Sequence, residues 1–171
     1  AIANETPSDN VSELLAGRVG ELDRETSRIL QIAACIGDEF DLETLAHVSS
    51  LSAAEASARV AQAVREGYLL YLQSAPDGGA ARYRFAHDRI QRAAYAQLES
   101  SDRRQIHTTI GQRFLDRGTA DDDHIFDIVN QLNNSFETPD AAPLNRQKLA
   151  ELNVNAGRRA RQRGAFVPAF R

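Results

Sequence analysis

Apolar positions recur at helical spacing along most of this chain and switch to strand spacing once. The run VSELLAGRVGEL follows the polar cluster Pro7-Ser8-Asp9-Asn10, whose short side chains suit a helix cap. It sets Leu14, Leu15, Val19 and Leu22 on one stripe. Asp23 stands where it would cap a stronger helix, RETSRILQIAACIG. Ile29, Leu30, Ala33, Ala34 and Ile36 give that helix a wide apolar face, and Gly37 ends it. A short helix, LETLAHVS, follows Asp41. Ser52 and Glu55 have the S-x-x-E spacing of a capping box, opening a fourth helix that runs through AEASARVAQAVREG to Gly67.

From Tyr68 the period changes. YLLYLQ (68–73) is aromatic and branched, as a strand is, and the turn signal Pro76-Asp77-Gly78-Gly79 comes next. ARYRFA then alternates, with Tyr83 and Phe85 expected to face the core and Arg82 and Arg84 to face water. This predicts a two-stranded hairpin, which is marginal alone and must lie on the helices. HDRIQRAAY returns to helix. Helices, a hairpin and one more helix make the order of a winged helix.

Beyond Tyr95 the pattern is helical only: SDRRQIHTTIGQRFLDRG, DDDHIFDIVNQLNN and LNRQKLAELNVNAGRRARQRGAF, with a proline-containing loop near Thr138 to Pro143. The expected fold class is mainly α. A linker (1–9) leads into a winged-helix-like domain with a two-stranded hairpin wing (10–98). A helical-hairpin region (99–171) follows, the start of a tetratricopeptide-like repeat array. The chain begins without Met and stops at GAFVPAFR, in what reads as the middle of a helical pair, so a segment of a larger protein is expected.

Composition narrows the classes. Of 171 residues, 42% are hydrophobic and 26% charged, ordinary values for a globular chain. Lys+Arg number 20 against 24 Asp+Glu, a net charge of -4, which weighs against binding nucleic acid by bulk charge. The single cysteine, Cys35, lies in an apolar helical run and reads as a buried structural thiol in a reducing cytoplasm. No apolar stretch approaches the roughly 18 to 20 residues that span a bilayer, and the N-terminus lacks the basic and apolar regions of a signal peptide. No membrane partner is expected.

Chemical motifs are sparse. G-x-x-x-x-G-K-[ST], H-E-x-x-H, G-x-S-x-G and a cysteine pair are all missing from the sequence, so no catalytic residue and no metal ligand is assigned. The acidic cluster Asp121-Asp122-Asp123-His124 suits a first helical turn better than a metal, because consecutive helical residues diverge. A helix reading DNA would be AEASARVAQAVREG, offering Arg59, Gln62 and Arg65. Its alanine content and near neutrality favour packing, so DNA is not an expected partner, and a DNA-binding winged-helix regulator is the alternative reading. The basic run Arg158, Arg159, Arg161 and Arg163 reads as a solvated helix face.

Four histidines are scattered through the chain. His47 and His107 fall within amphipathic helices and read as partly buried or surface residues without a special role. His87 sits at the strand-to-helix joint in RYRFAHDRIQRAAY, on the side of Ile90 and Ala94. Asp88 falls in the first helical turn, where its charge suits the backbone dipole. Free N–H groups at a helix start, beside an imidazole, can hold a phosphate. The plainer reading is a half-buried polar residue bridging strand and helix. The residues alone leave both open.

FAHDRIQRAAY resembles the winged-helix signature of the signal-transduction ATPases with numerous domains, the STAND class. RETSRILQIAACIGDEFDLETLAHVSSLS upstream, and GQRFL, HIFDIVNQLN and LAELNVNAGRRA downstream, are similar to the region that follows the AAA-type ATPase module in large bacterial multidomain sensor kinases. The resemblance covers nearly the whole chain, although RQRGAFVPAF departs from the usual continuation into a second alanine-rich helix. In that family a serine/threonine kinase-like domain often precedes the ATPase. Helical repeats, a GAF domain and a two-component histidine kinase often follow.

The wider class carries a Met-His-Asp motif at the end of the winged helix, whose histidine approaches the diphosphate of bound ADP. His87 matches that histidine and Asp88 the aspartate, with Ala86 in place of the methionine. The resemblance implies His87 as a nucleotide-state sensor, supported by Asp88, Arg89 and Arg92 as motif or interdomain contacts. It implies no cofactor in this chain itself, ATP or ADP and Mg being held by an ATPase module elsewhere. The expected partners are the ATPase and kinase modules of the same polypeptide and other proteins through the repeats. The expected activity is regulatory and non-catalytic.

Overall fold

A computed structural model describes residues 14–72, 80–116, 124–135 and 143–162. The fold is mainly α with one small antiparallel sheet. The chain divides into two compact units, Ala1–Ser100 and Ser101–Arg171. Several expectations fall outside the described residues: the linker and cap cluster (1–10), the hairpin turn (76–79), the acidic run (121–123), most of the proline loop (138–142) and Arg163.

The first unit opens with α1, described over 14–18, and a 3-10 turn, Val19–Glu21. Val19 is fully buried and Leu15 and Leu22 half-buried, but Leu14 is 62% exposed. The expected four-residue stripe therefore breaks.

Helix α2 (Arg24–Ile36) is the hub of this unit and packs against α3, α4 and α5. Asp23 caps it, its Oδ1 accepting from the Glu25 and Thr26 N–H groups at 3.0 Å each. Thr26, Ile29, Leu30, Ile32, Ala33, Ala34 and Cys35 are all buried, a wide apolar face, while Arg24, Glu25 and Arg28 stay exposed. Ile36, expected on the core face, is only half-buried because it ends the helix. Asp41 then serves two elements, closing β1 (Glu39–Asp41) and capping α3 (Leu42–Ser49). Its carboxylate takes the Thr44 N–H at 2.7 Å and the Thr44 hydroxyl at 2.8 Å.

The Ser52–Glu55 capping box is formed in both directions at the head of α4 (Ala53–Arg65). At the other end Gly67 takes φ +83, a conformation that disfavours any side chain. The Gly67 N–H reaches Val64 O and the Tyr68 N–H reaches Ala63 O, the two bonds of a Schellman stop. The chain leaves this stop directly into β2 (Leu69–Tyr71).

Strand β3 (Arg82–Phe85) pairs with β2, as expected, and also with β1, so the sheet has three strands in the order β1-β3-β2. The two-stranded hairpin is corrected on this point. The third strand escaped notice because three residues, one aromatic between two acids, are too short to show a period. Phe85 is buried, Tyr83 half-buried, and Arg82 and Arg84 exposed, the alternation expected. Phe40, Tyr83 and Tyr71 line up across all three strands, with ring centroids 6.0 and 5.6 Å apart.

The second unit contains α6 (Ser100–Asp116), α7 (Ile125–Ser135) and α8 (Pro143–Gln162). Proline at the first position of α8 removes an N–H that would lack a helical partner anyway. Ile125, Ile128, Val129 and Leu132 of α7 meet Leu152 and Ala156 of α8 in its core. Arg158 and Arg161 lie on the exposed side of α8, and Arg159 is half-buried. Among the described residues, no helix is long and apolar enough to cross a membrane.

Candidate functional site

The candidate site lies where β3 runs into α5 (Asp88–Ala96). Ala86 is still tied to the sheet, its N–H donating to Tyr68 O at 3.0 Å. His87 keeps extended backbone angles, φ -156 and ψ 146, while its carbonyl already accepts from Ile90 N–H at 3.1 Å. It is the N-cap residue of α5. Ile90 and Ala94 bury the inner face of the helix, so His87 is fixed between a buried strand end and a buried helix face. Its side chain remains 30% exposed.

Ser, Thr, Asp and Asn are the common N-caps; here an imidazole does the work. Nδ1 of His87 lies 3.2 Å from the Arg89 N–H and 2.6 Å from Asp88 Oδ1. One ring nitrogen cannot serve both. With its lone pair free it accepts the amide; with a proton it donates to the carboxylate. The other oxygen of Asp88 meets the Arg92 guanidinium one turn on. That hydrogen bond from Arg92 is the main cause holding the Asp88 carboxyl below its usual value. Desolvation opposes it, and the charges of Arg92 and His87 and the Arg89 N–H add smaller lowering effects. Asp88 is therefore a solvent-accessible anion shared between a histidine and an arginine.

His87, Asp88 and Arg92 thus come together over the first turn and a half of α5, with Arg89 contributing its backbone N–H. Nε2 of His87 has no hydrogen-bond partner among the described residues. What the cluster offers is a directed donor or cation beside a helix start, able to contact an anion. Among the described residues no group of His, Cys, Asp and Glu side chains is placed to hold a metal ion.

The other sequence candidates stand elsewhere. Arg59 pairs with Glu25, while Gln62 bonds to Glu66 and to Arg65. The polar side chains of α4 are therefore engaged with one another and with α2. His47 and His124 are exposed. His107 was underestimated. It is 3% accessible, and its Nδ1 lies 2.6 Å from Oε1 of the equally buried Gln131. A histidine next to Ile106 in a polar-looking helix carries no sign of that partner 24 residues away.

Comparison with known proteins gives one relevant relative. The chain is 26% identical to hybrid signal transduction histidine kinase G of Dictyostelium discoideum, in an alignment of 207 residues that takes in 93% of this chain. The similarity is to a signal-transduction protein. The chain spans 6% of that relative's length. No protein-family profile matches the chain, and no solved structure matches it.

Proposed function

We propose that this chain is a regulatory and scaffolding segment, without catalytic activity of its own, of a cytoplasmic STAND-class signalling ATPase within a sensor kinase. The Ala1–Ser100 unit is a winged-helix lid whose His87 meets the phosphates of ADP. The ATPase module that holds ATP or ADP and Mg lies elsewhere in the polypeptide. The Ser101–Arg171 unit is the start of a helical-repeat surface for protein partners.

The observation that carries this reading is the placement of His87. An imidazole whose Nε2 has no hydrogen-bond partner among the described residues stands at the start of α5, at the end of the central strand, where a lid would meet a nucleotide. The element order α2-β1-α3-α4-β2-β3, with the sheet ordered β1-β3-β2, supports the winged-helix assignment. Similarity to a signalling histidine kinase supports the setting.

A lid that touches nucleotide in one state shifts the open–closed equilibrium by its differential binding free energy and no more. A hydrogen bond to a charged phosphate is worth about 1.5 to 3 kcal/mol, roughly a ten- to hundredfold change in retention. In the full-length protein, His87→Ala is expected to speed ADP release or raise basal signalling. Unchanged nucleotide exchange together with unchanged output would remove the sensor role.

A further inference from the structure

The two neighbours of His87 Nδ1 are mutually exclusive, and that has a consequence beyond phosphate contact. We propose that His87 is a proton-operated switch at the head of α5: neutral, its Nδ1 caps the Arg89 amide; protonated, its Nδ1–H turns to Asp88, and Nε2 carries a proton in both states. The neutral ring that accepts at Nδ1 must hold its proton on Nε2. The cation has protons on both nitrogens, and the second comes from solvent. Asp88, 2.6 Å away, is the receiving carboxylate.

The surroundings fit a balance rather than a fixed pair. Arg92 keeps Asp88 ionised, so the acceptor for Nδ1–H is present, yet it also competes for that carboxylate. On α5 the charged neighbours are Asp88, Arg89 and Arg92; β3 brings the exposed Arg84. Helix α2 meets α5 through uncharged groups, Gln91 Nε2 on Ala34 O and Ser27 and Gln31 on Gln97 Oε1. Its charged side chains, Arg24, Glu25 and Arg28, and Glu21 of the 3-10 turn are all exposed.

On the lid reading, on which this consequence rests, Nε2–H donates to phosphate in either state, and protonation adds a positive charge while the Arg89 amide is left to the Asp88 carboxylate. Acidification then tightens the phosphate contact and moves the Arg89 amide from one acceptor to another. Nucleotide retention and the capping of α5 become linked through one proton.

The test needs only this chain in solution. Nitrogen-15 spectra of the histidines and of the Arg89 amide are followed as the pH falls through the range in which histidine gains its second proton. Expected at the alkaline end is an unprotonated Nδ1 and a protonated Nε2, with the Arg89 amide and Nδ1 changing together at one midpoint. Asp88→Asn should move that midpoint to lower pH, and Arg92→Gln should move it to higher pH. A neutral ring protonated at Nδ1, an Arg89 amide that ignores the transition, or an unmoved midpoint in Asp88→Asn overturns the switch. None of these readings involves nucleotide. A failed switch therefore leaves the lid reading standing, and His87→Ala with normal nucleotide exchange removes the lid reading alone.

Discussion

Gln131 turns its amide oxygen to within 2.6 Å of His107 Nδ1, so two buried polar side chains join α6 to α7. With Oε1 as acceptor, the ring donates from Nδ1. Gln131→Leu removes that acceptor inside a desolvated contact and is expected to cost about 1 to 3 kcal/mol. Replacing both residues with leucine should cost less than the sum of the single changes, because no polar group is then stranded. Hydrogen exchange at α6 and α7 amides reads the second unit directly; fully additive costs would show that the pair is not coupled.

Gly111, one turn along α6, sets two effects against each other. Alanine there gains about 1 kcal/mol of helix propensity. Its Cβ would come within 2.5 Å of Leu132 Cδ2 and 2.8 Å of Cγ, and Leu132 is 9% exposed. Forcing a packed side chain aside typically costs about 1 to 3 kcal/mol, so Gly111→Ala should destabilise the native chain. In a Leu132→Ala background the clash is gone and the same change should stabilise. Thermal melts of the four proteins check that reversal of sign.

His87 is an inferior cap in a position where better ones are available. Its extended backbone angles suit serine or asparagine equally well. His87→Ser or His87→Asn is expected to leave stability unchanged or raise it by up to about 1 kcal/mol, while His87→Ala lowers it. Urea unfolding measures this. A histidine that outperforms asparagine would mean that the residue is kept for packing rather than for contact with a ligand.

Three carboxylates tie stability to acid. Hydrogen bonds from Thr26, Ser52 and Arg92 are the leading causes that hold Asp23, Glu55 and Asp88 below their ordinary values. A carboxyl lowered in the folded state contributes stability that is complete above its unfolded value near about pH 4 and is lost as the pH falls through its folded value. Asp23→Asn keeps a good cap and removes one of these titrations, so its stability should fall less steeply on acidification than that of the parent. Parallel pH profiles for the two proteins would contradict the assignment.

Much of this geometry was readable in the residues. Asp23 and the Ser52–Glu55 box are caps whose chemistry acts over three residues, and local chemistry is what a sequence displays. The β3 alternation and the His87–Asp88 joint were legible for the same reason. What escaped was non-local. Strand β1 exists only because β3 lies beside it, and His107 is buried by a helix contributed much further along. Within the candidate site, the strand-to-helix joint is legible in the sequence, whereas the competition for Nδ1 shows only in distances.

The central place of β3 has a last consequence, for the order of events during synthesis. Arg82 bonds to Glu39 across 43 residues of chain, and β1 has no partner until β3 emerges. The helices α2 to α4 close their own turns earlier, whereas the sheet must await its middle strand, since long-range pairing comes late and slowly. His87 stands two residues beyond that strand. The histidine therefore comes into position only as the unit completes itself, so a half-folded chain does not yet present its imidazole.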